Sequence, residues 1–153
     1  MNGAEPGRLR CLKIYRMPTE KIIIFDGICN FCAKSVQFII KHDPDAQFKF
    51  TAFQTPAGKK LLGKQGFNPE KVETFLLIKD ERLFTKSDAA LEITKDLSGL
   101  WKLLYIFKIL PKNLRNWFYT ILAKKRYRLF GKRDHCLVPT DDIKARFFDN
   151  EVK

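Results

Sequence analysis

Apolar residues along this chain fall into short blocks whose period changes from two to about 3.6 and back, and the changes outline the elements. Residues 22–25, Ile-Ile-Ile-Phe, are continuously apolar, mostly β-branched, and run straight into Asp26-Gly27, which predicts a buried strand ended by a tight turn. Val36, Ile39 and Ile40 then recur at helical spacing within 31–41, until Asp43-Pro44 stops the helix by pushing the residue before proline out of the α region. Residues 48–53 alternate apolar and polar and predict a second strand. Strand, helix and strand in one sheet imply a right-handed crossover and parallel pairing.

Thr55-Pro56 opens a short helix that Gly63 and Gly66 end, proline being suited to the first helical position. The apolar run 74–78, the turn 79–81 and the return 82–85 predict a hairpin. Ser87 is expected to cap a helix over 88–97 that Ser98-Gly99 terminates. The remainder reads as helical and basic, with segments 101–110, closed by Pro111, and 113–129, ending near Gly131, and a tail with a last short helix through Ile143 and Phe147. Trp101, Trp117 and the phenylalanines are expected to pack inward, and His42 to sit exposed at a helix end. The series predicts a thioredoxin-like α/β fold: a three-layer sheet with helices on both faces, a hairpin on one edge and extra C-terminal helices. It divides the chain into an N-terminal extension expected to be disordered over 1–18, one domain over 19–140 and a tail over 141–153.

Composition adds direction. A chain of 153 residues, 45% hydrophobic, is the size of one domain with a real core. Its net charge of +12 is concentrated between Trp101 and Arg133, which holds ten Lys or Arg and no Asp or Glu. Such a balance bears on association with anionic surfaces, nucleic acid or acidic partners, not on fold. Four cysteines, Cys11, Cys29, Cys32 and Cys136, are too few and too irregularly spaced for a disulfide scaffold, which points to a reducing, cytoplasmic compartment. No apolar run is long enough for a transmembrane helix. Residues 1–16 are basic but lack the apolar region of a secretory signal; they read as a disordered extension, as the consequence of translation starting at Met17, or as a weak organellar presequence.

The chemistry lies at the end of the first strand, where Cys29 and Cys32 begin the following helix. A helix N-terminus carries unpaired N–H groups and a partial positive charge, which stabilise a thiolate. Lowering a thiol from about 8.5 to about 7 needs only about 2 kcal/mol of preferential thiolate stabilisation. Cys29 stands at the open end of the dipole and is assigned as nucleophile; Cys32, a turn further in, is the resolving thiol. The other readings are two inert buried thiols, or a zinc site with His135 and Cys136, which the adjacency of those two residues disfavours. Asp26 either shapes the turn and caps the helix or serves the proton of Cys32. Cys136 is either a third redox thiol or a small core residue. Arg126, Arg128, Lys132 and Arg133 either hold the site's potential positive or form a solvated helix face.

Asp26-Gly27-Ile28-Cys29-Asn30-Phe31-Cys32 after a strand, together with Arg126-Tyr127-Arg128-Leu129-Phe130-Gly131-Lys132 and the later Cys136, resembles the DCC-type thiol-disulfide oxidoreductase family over about residues 20–140. The resemblance implies a thioredoxin-like fold and a protein-disulfide reductase type of activity through Cys29 and Cys32, without a dissociable cofactor. It makes Asp26 a catalytic candidate, with Arg126, Tyr127 and Cys136 as accessory ones. The partner would be a disulfide-containing protein or a small thiol. Thioredoxins place a cis-proline before the third strand; the corresponding position, near Glu73 and Thr74, has none, and Pro69 stands four residues too early. The rival is a non-enzymatic basic module whose segment from Trp101 to Arg133 meets an anionic membrane surface or nucleic acid, although no specific nucleic-acid motif is present.

Overall fold

In the computed structural model, residues 20–68, 75–132, 134 and 141–148 are described. The elements follow in the order β1 (Lys21–Phe25), α1 (Asn30–Lys41), β2 (Phe48–Ala52), α2 (Pro56–Lys64), β3 (Leu76–Lys79), β4 (Arg82–Thr85) and α3 (Lys86–Asp96). A 3₁₀ helix (Gly99–Ile109), α4 (Lys112–Phe130) and a short α5 (Asp141–Lys144) complete the chain. The four strands form one sheet in the order β2-β1-β3-β4. β1 runs parallel to β2, with Ile23 opposite Phe50, and antiparallel to β3, with Ile23 opposite Leu77. β3 and β4 pair as the expected hairpin.

The sheet is central because alternate residues of its strands bury on opposite faces. Ile23, Phe25, Phe48, Phe50 and Leu77 pack with Cys32, Val36 and Ile39 of α1 and with Ala89 and Ile93 of α3. Ile22, Ile24, Leu76 and Ile78 point the other way, onto Leu62 of α2. Two helices on one face and one on the other give the three layers of a thioredoxin-like fold.

α2 is set by Thr55, whose hydroxyl accepts the Gly58 N–H at 3.1 Å, and by Pro56 in its first turn. The C-terminal segment returns to the sheet. Phe50 N–H donates to the Arg146 carbonyl at 2.8 Å, Phe147 enters the core, and the Arg146 guanidinium pairs with buried Asp43. Asp43 in turn accepts the Gln47 and Phe48 N–H groups, fixing the start of β2.

Three expectations change. Thr85, not Ser87, stands at the N-cap of α3, and the Ser87 hydroxyl instead donates to Asn116 Oδ1 at 2.6 Å, because α4 offers a tertiary partner that local capping cannot match. The segment after Gly99 is a 3₁₀ helix, with no buried residue. Trp101 and Trp117 are exposed, not core: Trp101 lies across Phe38 and His42 at the end of α1, and Trp117 is left on the outside of α4. His42 does end its helix, half-buried, with its ring against Phe38 and Trp101. The loop position near Glu73 and Thr74, Pro69, Arg133, His135, Cys136 and the 1–18 extension lie outside the described residues.

Candidate active site

The parallel β1–β2 pair delivers the end of β1 to the head of α1, and there the two cysteines meet. Cys29 is the N-cap of α1: its backbone is extended, and its Sγ accepts the Cys32 N–H at 3.4 Å, where a serine or aspartate oxygen would ordinarily act. The sulfur thus faces the N-terminal end of the helix, where the unpaired N–H groups of its first turn lie. Both thiols are free, and both are buried, Cys29 at 0% and Cys32 at 1% exposure. Cys29 therefore stands at the open end of the dipole but not at the open surface. Burial, followed by the neighbouring Cys29, pushes the Cys32 thiol well above its ordinary value, while Arg126 pulls the other way.

Beneath the pair lies a buried polar cluster that ties the two sequence blocks together. Asp26 Oδ1 accepts the Ile28 N–H at 3.1 Å and the Gln54 side-chain amide at 2.7 Å. Its Oδ2 accepts Arg126 Nη2 at 3.1 Å and the Tyr127 hydroxyl. Both oxygens take two donors each, which uses the carboxylate's acceptor capacity. Asp26 shapes the turn, as expected, but does not cap the helix, since Cys29 occupies that position. Arg126 is buried and ion-paired, so the reading of it as a solvated helix face is corrected: α4 turns Arg126 inward while Arg128 remains exposed.

The charges in this cluster set one another. Burial works against the Arg126 cation, but Cys32, Tyr127 and Cys29 around it raise its pKa above the ordinary value. Tyr127 is pushed up to about 12 by burial and by the hydrogen bond to Asp26, which keeps it a donor. Arg126 lies against Asp26, so the buried carboxylate is met by a cation at close range.

A short strap covers the cysteines. The residues after α4 pass over the head of α1, where Lys132 forms an antiparallel bridge with Cys29. Asn30 Nδ2 donates to the Phe130 carbonyl at 3.0 Å, and the Phe31 and Phe130 rings lie 4.9 Å apart. Gly131 allows the turn at φ +77°, in the left-handed region that a side chain disfavours. On the other side of Cys32 lies an apolar cavity of about 560 Å³ between α1, α3 and α4, with Phe38, Ile93, Leu122, Arg126 and Phe130 among its walls.

The structure joins Asp26, Cys29, Cys32, Arg126 and Tyr127 in one site; Cys136 lies outside the described residues. Gln54 and Asn30 were not anticipated. Gln54, which also accepts the Gly27 N–H at 3.1 Å, stands after β2 and carries no sequence signal, whereas Asn30 lies inside the cysteine motif and its amide could have been suspected of a bridging role. Among the described residues no helix is long and apolar enough to cross a membrane.

The family model described as DCC1-like thiol-disulfide oxidoreductase matches residues 23–132, from β1 to the strap. YuxK of Bacillus subtilis is 42% identical over 128 residues, covering 84% of this chain and 93% of its own. A chloroplastic DCC family protein of Arabidopsis thaliana is 35% identical over 116 residues, covering 75% of this chain and 67% of its own. No solved structure matches the chain significantly. The matched region contains the whole cluster from Asp26 to Lys132, and the chain belongs to the DCC1-like thiol-disulfide oxidoreductase family.

Proposed function

We propose that the chain exchanges electrons with disulfides through Cys29 and Cys32, with Cys29 as nucleophile. The observation that carries this reading is the N-cap position of Cys29, its sulfur accepting the Cys32 N–H over the buried Asp26–Arg126 pair. The Cys29 thiolate attacks one sulfur of the client, the client's S–S bond breaks, and the departing thiolate leaves with the electron pair. Cys29 is then held in a mixed disulfide and no longer carries charge. Burial, the largest cause of the raised Cys32 pKa, eases only where the strap opens to admit the client; the smaller contribution of Cys29 is lost in the mixed disulfide, while the lowering by Arg126 persists. Cys32 is thereby released to lose its proton and attack Cys29, which forms the internal disulfide and expels the reduced client. Asp26 acts in this scheme as a positioning residue that holds Arg126 and Tyr127, not as a free base.

Client approach requires the strap to move, because Lys132 occupies the backbone edge of Cys29. The client is a protein disulfide or a small disulfide, and the apolar cavity beside Cys32 favours an apolar flank on it. Mass spectrometry of the chain equilibrated through a series of glutathione ratios tests the reading. A Cys29–Cys32 disulfide that forms and disappears with the poise is expected. Its absence at every ratio, with unchanged reactivity toward a disulfide probe in Cys29→Ser, would overturn it.

A further inference from the structure

Of the exposed large apolar side chains among the described residues, all but Phe38 fall within 100–130, and Phe38 lies edge-to-face on Trp101 at 4.7 Å. Their spacing follows the helices that carry them. In the 3₁₀ helix, positions three apart eclipse, and Leu100, Leu103, Ile106 and Ile109 form one row, exposed by 81, 67, 64 and 83%. On α4, Leu114, Trp117, Phe118 and Leu122 form a second row at helical spacing, all exposed. Scattered exposed apolar residues are ordinary; two consecutive elements with an outward apolar row mark an interaction surface.

Charge says what the surface meets. Lys108 pairs with Glu92, Lys112 and Arg115 with Asp88, and Arg126 with Asp26, so these cations are spent on the fold. Lys102, Lys124, Lys125 and Arg128 have no ion-pair partner among the described residues, and no acidic residue occurs between Trp101 and Arg133. We infer that the outer face of the 3₁₀ helix and α4 docks onto an anionic lipid bilayer, its apolar rows seated at the acyl boundary and its unpaired cations among the headgroups. A layer of lysine and arginine around exposed leucine, isoleucine, phenylalanine and tryptophan is the composition of an interfacial element. Neither element is long and apolar enough to span. Leu122 belongs both to this face and to the wall of the cavity beside Cys32, so docking sets that cavity at the lipid boundary.

Co-sedimentation of the full chain with phosphatidylcholine vesicles, with and without phosphatidylglycerol, tests the inference. Binding is expected only to the anionic vesicles, weakening as salt rises. Lys125→Gln and Arg128→Gln should each weaken it about fivefold. Ile106→Ser with Ile109→Ser should weaken it more than tenfold, the loss expected when buried apolar surface is removed. In the Trp101→Phe chain, Trp117 emission should shift to the blue on adding anionic vesicles, a readout that does not depend on the serine variant folding. Cys29→Ser with Cys32→Ser should bind unchanged, which separates this face from the redox reading. The inference is overturned by absence of binding, or by binding that ignores the isoleucine substitutions. It is equally overturned by a dimer that those substitutions dissolve, or by a salt-sensitive affinity for DNA that matches that for vesicles.

Discussion

Cys29 combines two duties that usually fall to different residues, since it caps α1 and is the sulfur proposed to react. Substituting it by serine keeps the capping oxygen and removes the thiol, so Cys29→Ser should stay folded and lose its reaction with disulfides. Cys32→Ser should instead trap a mixed disulfide at Cys29, seen as a stable mass increase in the presence of a disulfide substrate. The buried pair beneath makes a second demand. Arg126→Met leaves Asp26 without its cation and should cost about 3–5 kcal/mol in urea unfolding, and adding Asp26→Asn should recover much of that. Raised pKa values have a stability consequence with a definite sign. A group whose pKa is higher folded than unfolded stabilises the fold below its ordinary value and ceases to do so as pH rises through the folded value. For Cys32 the loss begins above 9.0, and for Tyr127 it extends from 10.0 to about 12. Urea midpoints should therefore fall as pH rises from 9.0 upward, and Cys32→Ala should remove the earlier part of the fall.

At the scale of elements, β2 and α2 meet through a glycine that no periodicity announces. A Cβ on Gly58 would collide with the Ala52 carbonyl oxygen and come within 2.9 Å of Phe53 Cα, both backbone atoms that cannot swing aside. Gly58→Ala, favourable in an open helix, should here cost on the order of 1–3 kcal/mol, measured by thermal unfolding. The opposite end of the sheet is held by Asp43 and Arg146, where a side chain far along the chain completes the cap of β2. The chain's 3₁₀ helix is long for its class, and it follows α3 through Tyr105 and Lys108, which both reach Glu92. Polar anchors on its inner side, with the apolar row outward, explain why a segment rich in leucine and phenylalanine contributes nothing to the core.

On the scale of the molecule, the strap is what separates a preformed thiol pair from an accessible one. The Asn30 amide to the Phe130 carbonyl is a single hydrogen bond across the head of α1, worth about 1 kcal/mol. Asn30→Ala should speed alkylation of Cys29 about fivefold at constant pH, and an unchanged rate would mean that the strap does not limit access. The same strap sets residues 126–132 against residues 26–32, so the two ends of the region matched by the family model form one site.

Much of this was legible in the residues. The β-α-β-α-β-β-α series, the parallel crossover, the hairpin and the placement of the cysteines at a helix start follow from period, proline and glycine, which act over a few residues. Local rules also foretold that Asp26 would shape its turn. They could not foretell that Arg126 turns inward to Asp26, or that Gln54 and Tyr127 complete the carboxylate's partners, because these contacts span 28 to 101 positions. Nor could they distinguish an inward from an outward aromatic stripe. Trp117 and Phe118 have the spacing of core residues, and only the packing of α4 against α3 and α1 decides which side of the helix is left to the surroundings. Sequence periodicity determines that a helix has an apolar face; tertiary structure decides what that face meets, because burial belongs to the pair of surfaces and not to either one.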